Sequence, residues 1–150
     1  MRIALMSDIH GNLEALRAAM KIIELEKVDE IFCLGDIVGY GVNPSGCINI
    51  VRQNCSRIVL GNHDAAIIGK EDPKRFNRYA LIASIWTAEH LTDNDKDFIN
   101  NLPYTHSSEE NFFLVHGSPF KPEDFNYILT PTDALFEFAE FSQKNCIYWT

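Results

Sequence analysis

The chain has no paired-cysteine pattern, no long hydrophobic run, no basic surplus and no repeat, and each absence removes a class of function. Its 4 cysteines, Cys33, Cys47, Cys55 and Cys146, form no Cys-x-x-Cys pair. A zinc ribbon or a disulfide framework is therefore not expected, and the thiols read as reduced, in a cytoplasmic protein. No apolar stretch approaches the length of a membrane span, and the first run meets Asp8 and His10 too soon for a secretory leader. Lysine and arginine number 13 against 21 aspartates and glutamates, a formal net charge of -8. That balance argues against general affinity for nucleic acid or anionic lipid, since both rely on a basic face. An anionic substrate would need local positive charge, which a bound metal could supply. The glycine-rich loop Gly39-Tyr40-Gly41 leads to Pro44 with no Gly-Lys-Ser or Gly-Lys-Thr after it, so it is not a Walker loop.

What is present is the composition of an ordinary globular protein, 46% hydrophobic and 23% charged, in 150 residues that suit one domain. The first sixty residues alternate. An apolar run at Ile3 to Met6 is followed by a segment capped at Asn12, with Leu13, Leu16, Met20 and Ile23 at helical spacing. A second strand spans Glu30 to Leu34, a second helix Pro44 to about Arg52, and a third strand ends at Leu60. Strand, helix, strand at this spacing implies a parallel sheet with crossover helices. From Phe76 to Leu91 apolar residues lie nearly all round a predicted helix, which is expected to be buried on more than one side, by the core or by another subunit. Thr92 should cap a short acidic helix, Tyr104 to His106 and Asn111 to Val115 a hairpin, Thr132 a further helix, and Cys146 to Trp149 a last strand.

The apolar runs share an ending. They run into Asp8-Ile9-His10, Gly35-Asp36, Gly61-Asn62-His63-Asp64 and His116-Gly117. Ligands bind beyond the carboxyl ends of strands in open α/β sheets, so these side chains should meet in one crevice. Carboxylate, imidazole and amide oxygen together suit Mn, Fe or Zn, whereas a purely oxygen set suits Mg or Ca. Asp36, from a central strand and with two oxygens, could bridge two cations, with Asp8 and His10 on one and Asn62 and His116 on the other. Two such cations activate a water and clamp phosphoryl oxygens. His63 follows Asn62 directly and should face the substrate, placed to protonate a leaving alkoxide, with Asp64 holding its other ring nitrogen. His90 and His106 fit no motif and read as surface or structural residues.

Taken singly, Asp-x-His and Gly-Asp are common accidents, and Asn62 and Asp64 could merely cap a helix. Together, Asp8-Ile9-His10-Gly11-Asn12, Gly35-Asp36, Gly61-Asn62-His63-Asp64 and Val115-His116-Gly117 resemble the successive signatures of calcineurin-like metallophosphoesterases. Gly39-Tyr40-Gly41 with Pro44, and the helix with Asn77, Trp86 and Thr87, resemble a prokaryotic phosphodiesterase branch related to diadenosine tetraphosphatases. The resemblance implies two β-sheets packed face to face and flanked by helices in a four-layer sandwich. It implies two divalent ions (Mn, Fe, Zn or Ni) held by Asp8, His10, Asp36, Asn62 and His116, with His63 as proton donor and a small phosphorylated substrate. The family's final Gly-His-x-His, which supplies two further ligands, is expected to lie beyond Thr150, so this 150-residue form is expected to bind metal weakly, to have little activity and to self-associate. The alternatives are a metallophosphoesterase fold kept as a binding or scaffold module, and a flavodoxin-like nucleotide domain. Asp8-Ile9-His10 argues against the second, because it puts a carboxylate where a phosphate loop would be.

Overall fold

Leu13–Glu26 forms helix α1 where the sequence places it, because Asn12 Oδ1 accepts from the Ala15 N–H at 3.0 Å, and Lys27 then ends it in the left-handed conformation. A computed structural model describes residues 1–107, 112–141 and 145–149. Strands β1 (Ile3–Met6), β2 (Glu30–Cys33) and β3 (Arg57–Ile58) make a parallel sheet in that order, with β2 in the centre. The third strand is shorter than its apolar run suggests. Val59 still donates to Cys33 O, but the Leu60 N–H turns to Pro103 O, so the run leaves the ladder just before the glycine turn.

Alternation along the strands divides the core. Cys33, Met6 and Ile58 pack against α1 and against α2 (Pro44–Asn54), with Leu16, Cys47, Ile48 and Val51. Phe32 and Val59 face the other way, onto Leu114 and Phe112 of a second sheet. That sheet has the order β4 (Thr105–Ser107), β5 (Phe112–His116), β6 (Asn145–Trp149), with β4 antiparallel and β6 parallel to β5. Two face-packed sheets flanked by helices are the expected architecture. The hairpin's loop, 108–111, and the side chain of Cys146 lie outside the described residues.

Between the sheets in sequence come α3 (Asn62–Ile67), α4 (Arg78–His90) and α5 (Asp93–Asn100), and α6 (Pro131–Phe141) precedes β6. Thr92 caps α5 as expected, in a reciprocal box with Asp95, whose carboxylate also accepts from Ser45 Oγ at 2.8 Å. Two expectations need correction. α6 is capped by Thr130, whose Oγ1 accepts from Asp133 N–H, because Pro131 suits the first helical position; Thr132 lies inside the helix. α4 is not buried all round: Ala80, Ser84 and Thr87 point inward, while Tyr79, Ile82 and Ile85 are exposed. Its start also moves to Arg78, since Asn77 Oδ1 accepts from the N–H groups of Tyr79 and Ala80.

Candidate metal centre

The loops leaving β1 and β2 continue the sheet's pairing beyond its strands. Asp8 N–H donates to Gly35 O at 3.2 Å, His10 N–H to Asp36 O at 2.9 Å and Gly11 N–H to Ile37 O at 2.9 Å. These bonds set Asp8 and His10 beside Asp36. They also hold all three in the left-handed region, at φ 55°, 49° and 53°. Non-glycine residues rarely adopt it, at a cost of roughly 1–3 kcal/mol each, and such strain gathers where function needs a side chain aimed.

From the third strand end comes α3. Gly61 is packed so closely that a Cβ there would collide with the Asp36 amide nitrogen and carboxylate, so only glycine brings the two loops together. As α3 begins, the His63 N–H donates to Asp36 Oδ1 at 2.9 Å, which fixes that oxygen and leaves Oδ2 free to face the crevice. Asp36 Oδ2 lies 3.8 Å from His10 Nε2 and 3.7 Å from His116 Nε2. Around these, Asp8 Oδ1 is 3.5 Å from His10 Nε2, and Asn62 Oδ1 is 3.0 Å from His116 Nε2. The five expected ligands are thus brought together, with Asp36 in the middle.

Hydrogen bonding behind the rings decides what the centre wants. His10 Nδ1 faces Val38 O at 3.2 Å and His116 Nδ1 faces Leu34 O at 2.6 Å. A carbonyl only accepts, so both Nδ1 atoms carry the proton and both Nε2 atoms of the neutral rings present lone pairs. Those lone pairs point at oxygens of Asp8, Asp36 and Asn62. Acceptors converging on acceptors are satisfied by a cation, and this mix of nitrogen and oxygen suits a divalent metal ion. Without one, a proton takes that place: burial opposes it, but Asp8, Asp36 and the Val38 carbonyl raise His10 above its ordinary value. Burial pushes the Asp36 carboxyl up.

His63 lies against the same cluster, with ligand atoms of His10, Asp36 and His63 within 4.8 Å of one another. Its ring stacks on Phe76 at 4.4 Å and meets His10 edge-on at 4.8 Å. Burial first, and then electrostatic repulsion from the neighbouring imidazoles of His10 and His116 whenever they carry a proton, push it down to about 4. Nδ1 is buried with no hydrogen-bond partner among the described residues. The ring also lines a cavity of about 230 Å³ with Tyr40, Asn62, Arg75, Phe76 and Tyr127, so His63 joins the donor set to that cavity. Asp64 does not hold that ring, contrary to expectation. Its Oδ1 accepts from Val38 N–H at 3.1 Å and its Oδ2 from Gly61 N–H at 3.2 Å, which makes it the buried brace of α3 and of the loop after β2.

Arg75 and Phe76 were not singled out by the sequence, because a residue before a helix cap carries no signal of facing a site. Thr87 was quoted only for its resemblance, and its hydroxyl proves to donate to Gly39 O at 3.1 Å, tying α4 to the glycine loop. His90 and His106 lie away from the centre, as expected; His90 stacks on Trp86 at 4.0 Å.

Comparison with known proteins identifies the family. The model of the calcineurin-like phosphoesterases matches residues 1–144. The chain belongs to that family. An uncharacterized protein of Methanocaldococcus jannaschii is 40% identical over 145 residues, 92% of this chain and 58% of that protein. The crystal structure of a metallophosphoesterase from Sphaerobacter thermophilus superposes with a TM-score of 0.83 at 37% identity, covering 99% of this chain and 59% of that one. A symmetrical bis(5'-nucleosyl)-tetraphosphatase of Erwinia tasmaniensis is 32% identical over 92 residues, 59% of this chain and 31% of that protein. This phosphoesterase chain therefore spans well under two thirds of the length of these relatives.

Proposed function

We propose that the chain carries the dinuclear half of a metal-dependent phosphohydrolase site, with Asp36 shared between two divalent ions. The observation that carries this reading is the position of Asp36 Oδ2, within 3.8 Å of His10 Nε2 on one side and 3.7 Å of His116 Nε2 on the other. Asp8 and His10 would complete one half, Asn62 and His116 the other. The chemistry that divalent ions supply there is Lewis-acid chemistry: a lowered pKa for water and neutralised phosphoryl charge.

The chain's own residues do the rest. Val38 and Leu34 carbonyls hold the two imidazoles in the tautomer that offers Nε2. The His63 N–H fixes Asp36. His63 itself, at the border of the donor set and the cavity, is the proton donor to the leaving oxygen: an anionic phosphoester against it draws the ring into its protonated form, and the imidazolium gives its proton to the leaving alkoxide and returns to the neutral ring. Tyr40, Phe76 and Tyr127 form aromatic walls for the organic part of the substrate, beside Arg75, which is paired with Glu71 at 2.9 Å, and Asp124. A nucleoside phosphate, the class named for the Erwinia tasmaniensis relative, has a planar base suited to those walls. Elemental analysis of protein loaded with Mn tests the shared ligand. Asp36→Asn should lose metal from both halves and Asp8→Asn mainly from one; equal single-site losses would reject the bridging role.

A further inference from the structure

Helix α4 carries a stripe that its own fold does not use. Its inward side chains are Ala80, Ser84 and Thr87, with Leu91 just beyond the helix buried as well. At 100° per residue, positions two before each of these, Arg78, Ile82, Ile85 and Glu89, lie on the opposite side. All four are exposed, Ile82 at 55% and Ile85 at 52%, and Tyr79 beside them at 79%. Two β-branched apolar residues thus sit in water between an arginine and a glutamate.

The charges are the wrong way round for an isolated helix. The N-terminal end of a helix favours anions and the C-terminal end cations, yet Arg78 stands at the first helical position and Glu89 in the last turn. Neither makes an ion pair among the described residues. The order of the stripe accounts for both. In an antiparallel pair of α4 helices related by a twofold axis between residues 83 and 84, residue i lies opposite 167 minus i. Ile82 then meets the partner's Ile85, Arg78 the partner's Glu89, and each charge also finds the favourable end of the other helix.

We propose that this face of α4 is a homodimer interface, occupied by the α4 of a second copy in antiparallel, twofold pairing. The inference is independent of the phosphohydrolase reading, because none of the four residues lines the donor set or the cavity. Self-complementarity is what a twofold interface requires of one surface patch. One helix of this length buries less than a standard interface of about 1,600 Å², so the dimer is weak and depends on concentration.

Sedimentation of the whole chain over a concentration series, at low ionic strength, tests it. The wild type should move from monomer to dimer as concentration rises. Arg78→Glu alone and Glu89→Arg alone should each weaken the dimer about tenfold, since each makes two like-charge contacts across the axis. Mixing the two variants should restore wild-type dimerisation, because every contact in the heterodimer is then between opposite charges. Ile82→Glu should abolish it; since Ile82 is exposed, its far-ultraviolet circular dichroism should match the wild type. A monomer at all concentrations, or a dimer indifferent to both charge reversals, would overturn the proposal, as would a mixture no stronger than its components.

Discussion

At Gly61 a hydrogen atom is all that the approach of two loops leaves room for. A methyl group there would meet the amide nitrogen and the carboxylate of Asp36, and overpacking of this kind typically costs about 1–3 kcal/mol. Gly61→Ala should therefore lower thermal stability and metal content together, measured by calorimetry and elemental analysis. His63 should behave differently, because its ring braces nothing through Nδ1. In a form with measurable phosphoesterase activity His63→Ala should reduce turnover about a hundred- to ten-thousandfold, with metal content kept. The loss should shrink for nitrophenyl esters, whose leaving group needs little protonation. Metal lost in step with activity would make His63 a ligand. The residue types at the strand ends were legible in sequence because carboxylate, imidazole and amide after apolar runs have few structural uses in common. Left-handed backbone at Asp8, His10 and Asp36 was not, since it arises from bonds between loops distant in sequence. Asp64 shows the opposite failing: glycine followed three residues later by aspartate already admitted a helix-capping reading, and that is the role it has.

Among the elements, α5 offers the clearest pH prediction. Asp95 is buried, which alone would raise its carboxyl, but Ser45 and Thr92 hydroxyls hold it below the ordinary carboxylate value. A depressed folded value means that the stabilisation is complete above the ordinary carboxylate range near 4 and is lost as pH falls through the lowered one. Asp95→Asn should cost about 1 kcal/mol at pH 7 in chemical denaturation, and the difference from wild type should narrow in strong acid. A constant difference down to the acid limb would deny the link. The cap at Thr92 was readable from its place before the acidic helix; the reciprocal part of Asp95 emerges only from the structure. For α4 periodicity misled, because composition says how apolar a helix is but not which of its apolar residues meet the core. Small inward residues, Ala80, Ser84 and Thr87, let α4 approach the glycine loop and left the larger ones outside.

The whole molecule sets a parallel sheet and a mixed sheet face to face and gathers the loop ends of both at one place. Its fold was legible because strand and helix alternate cleanly and each strand's alternation assigns one face to helices and the other to the second sheet. Ions binding the folded chain and not the unfolded one should stabilise it, by about 2.7 kcal/mol at a hundred times the dissociation constant. Added Mn should thus raise the melting temperature of the wild type and leave Asp36→Asn nearly unmoved; an equal rise in both would place the ions elsewhere. The strand order bears on time as well as on affinity. Asp8 follows β1, which among the described residues is paired on one side only, whereas His116 ends β5, which is flanked by both β4 and β6. An ion resting on Asp8 leans on a half-anchored strand that breathes more readily, and one resting on His116 on a strand clamped from both sides. The two halves of one centre should then trade ions with solvent at different speeds, so that isotope exchange would run fast from the Asp8 half and slowly from the half held by His116.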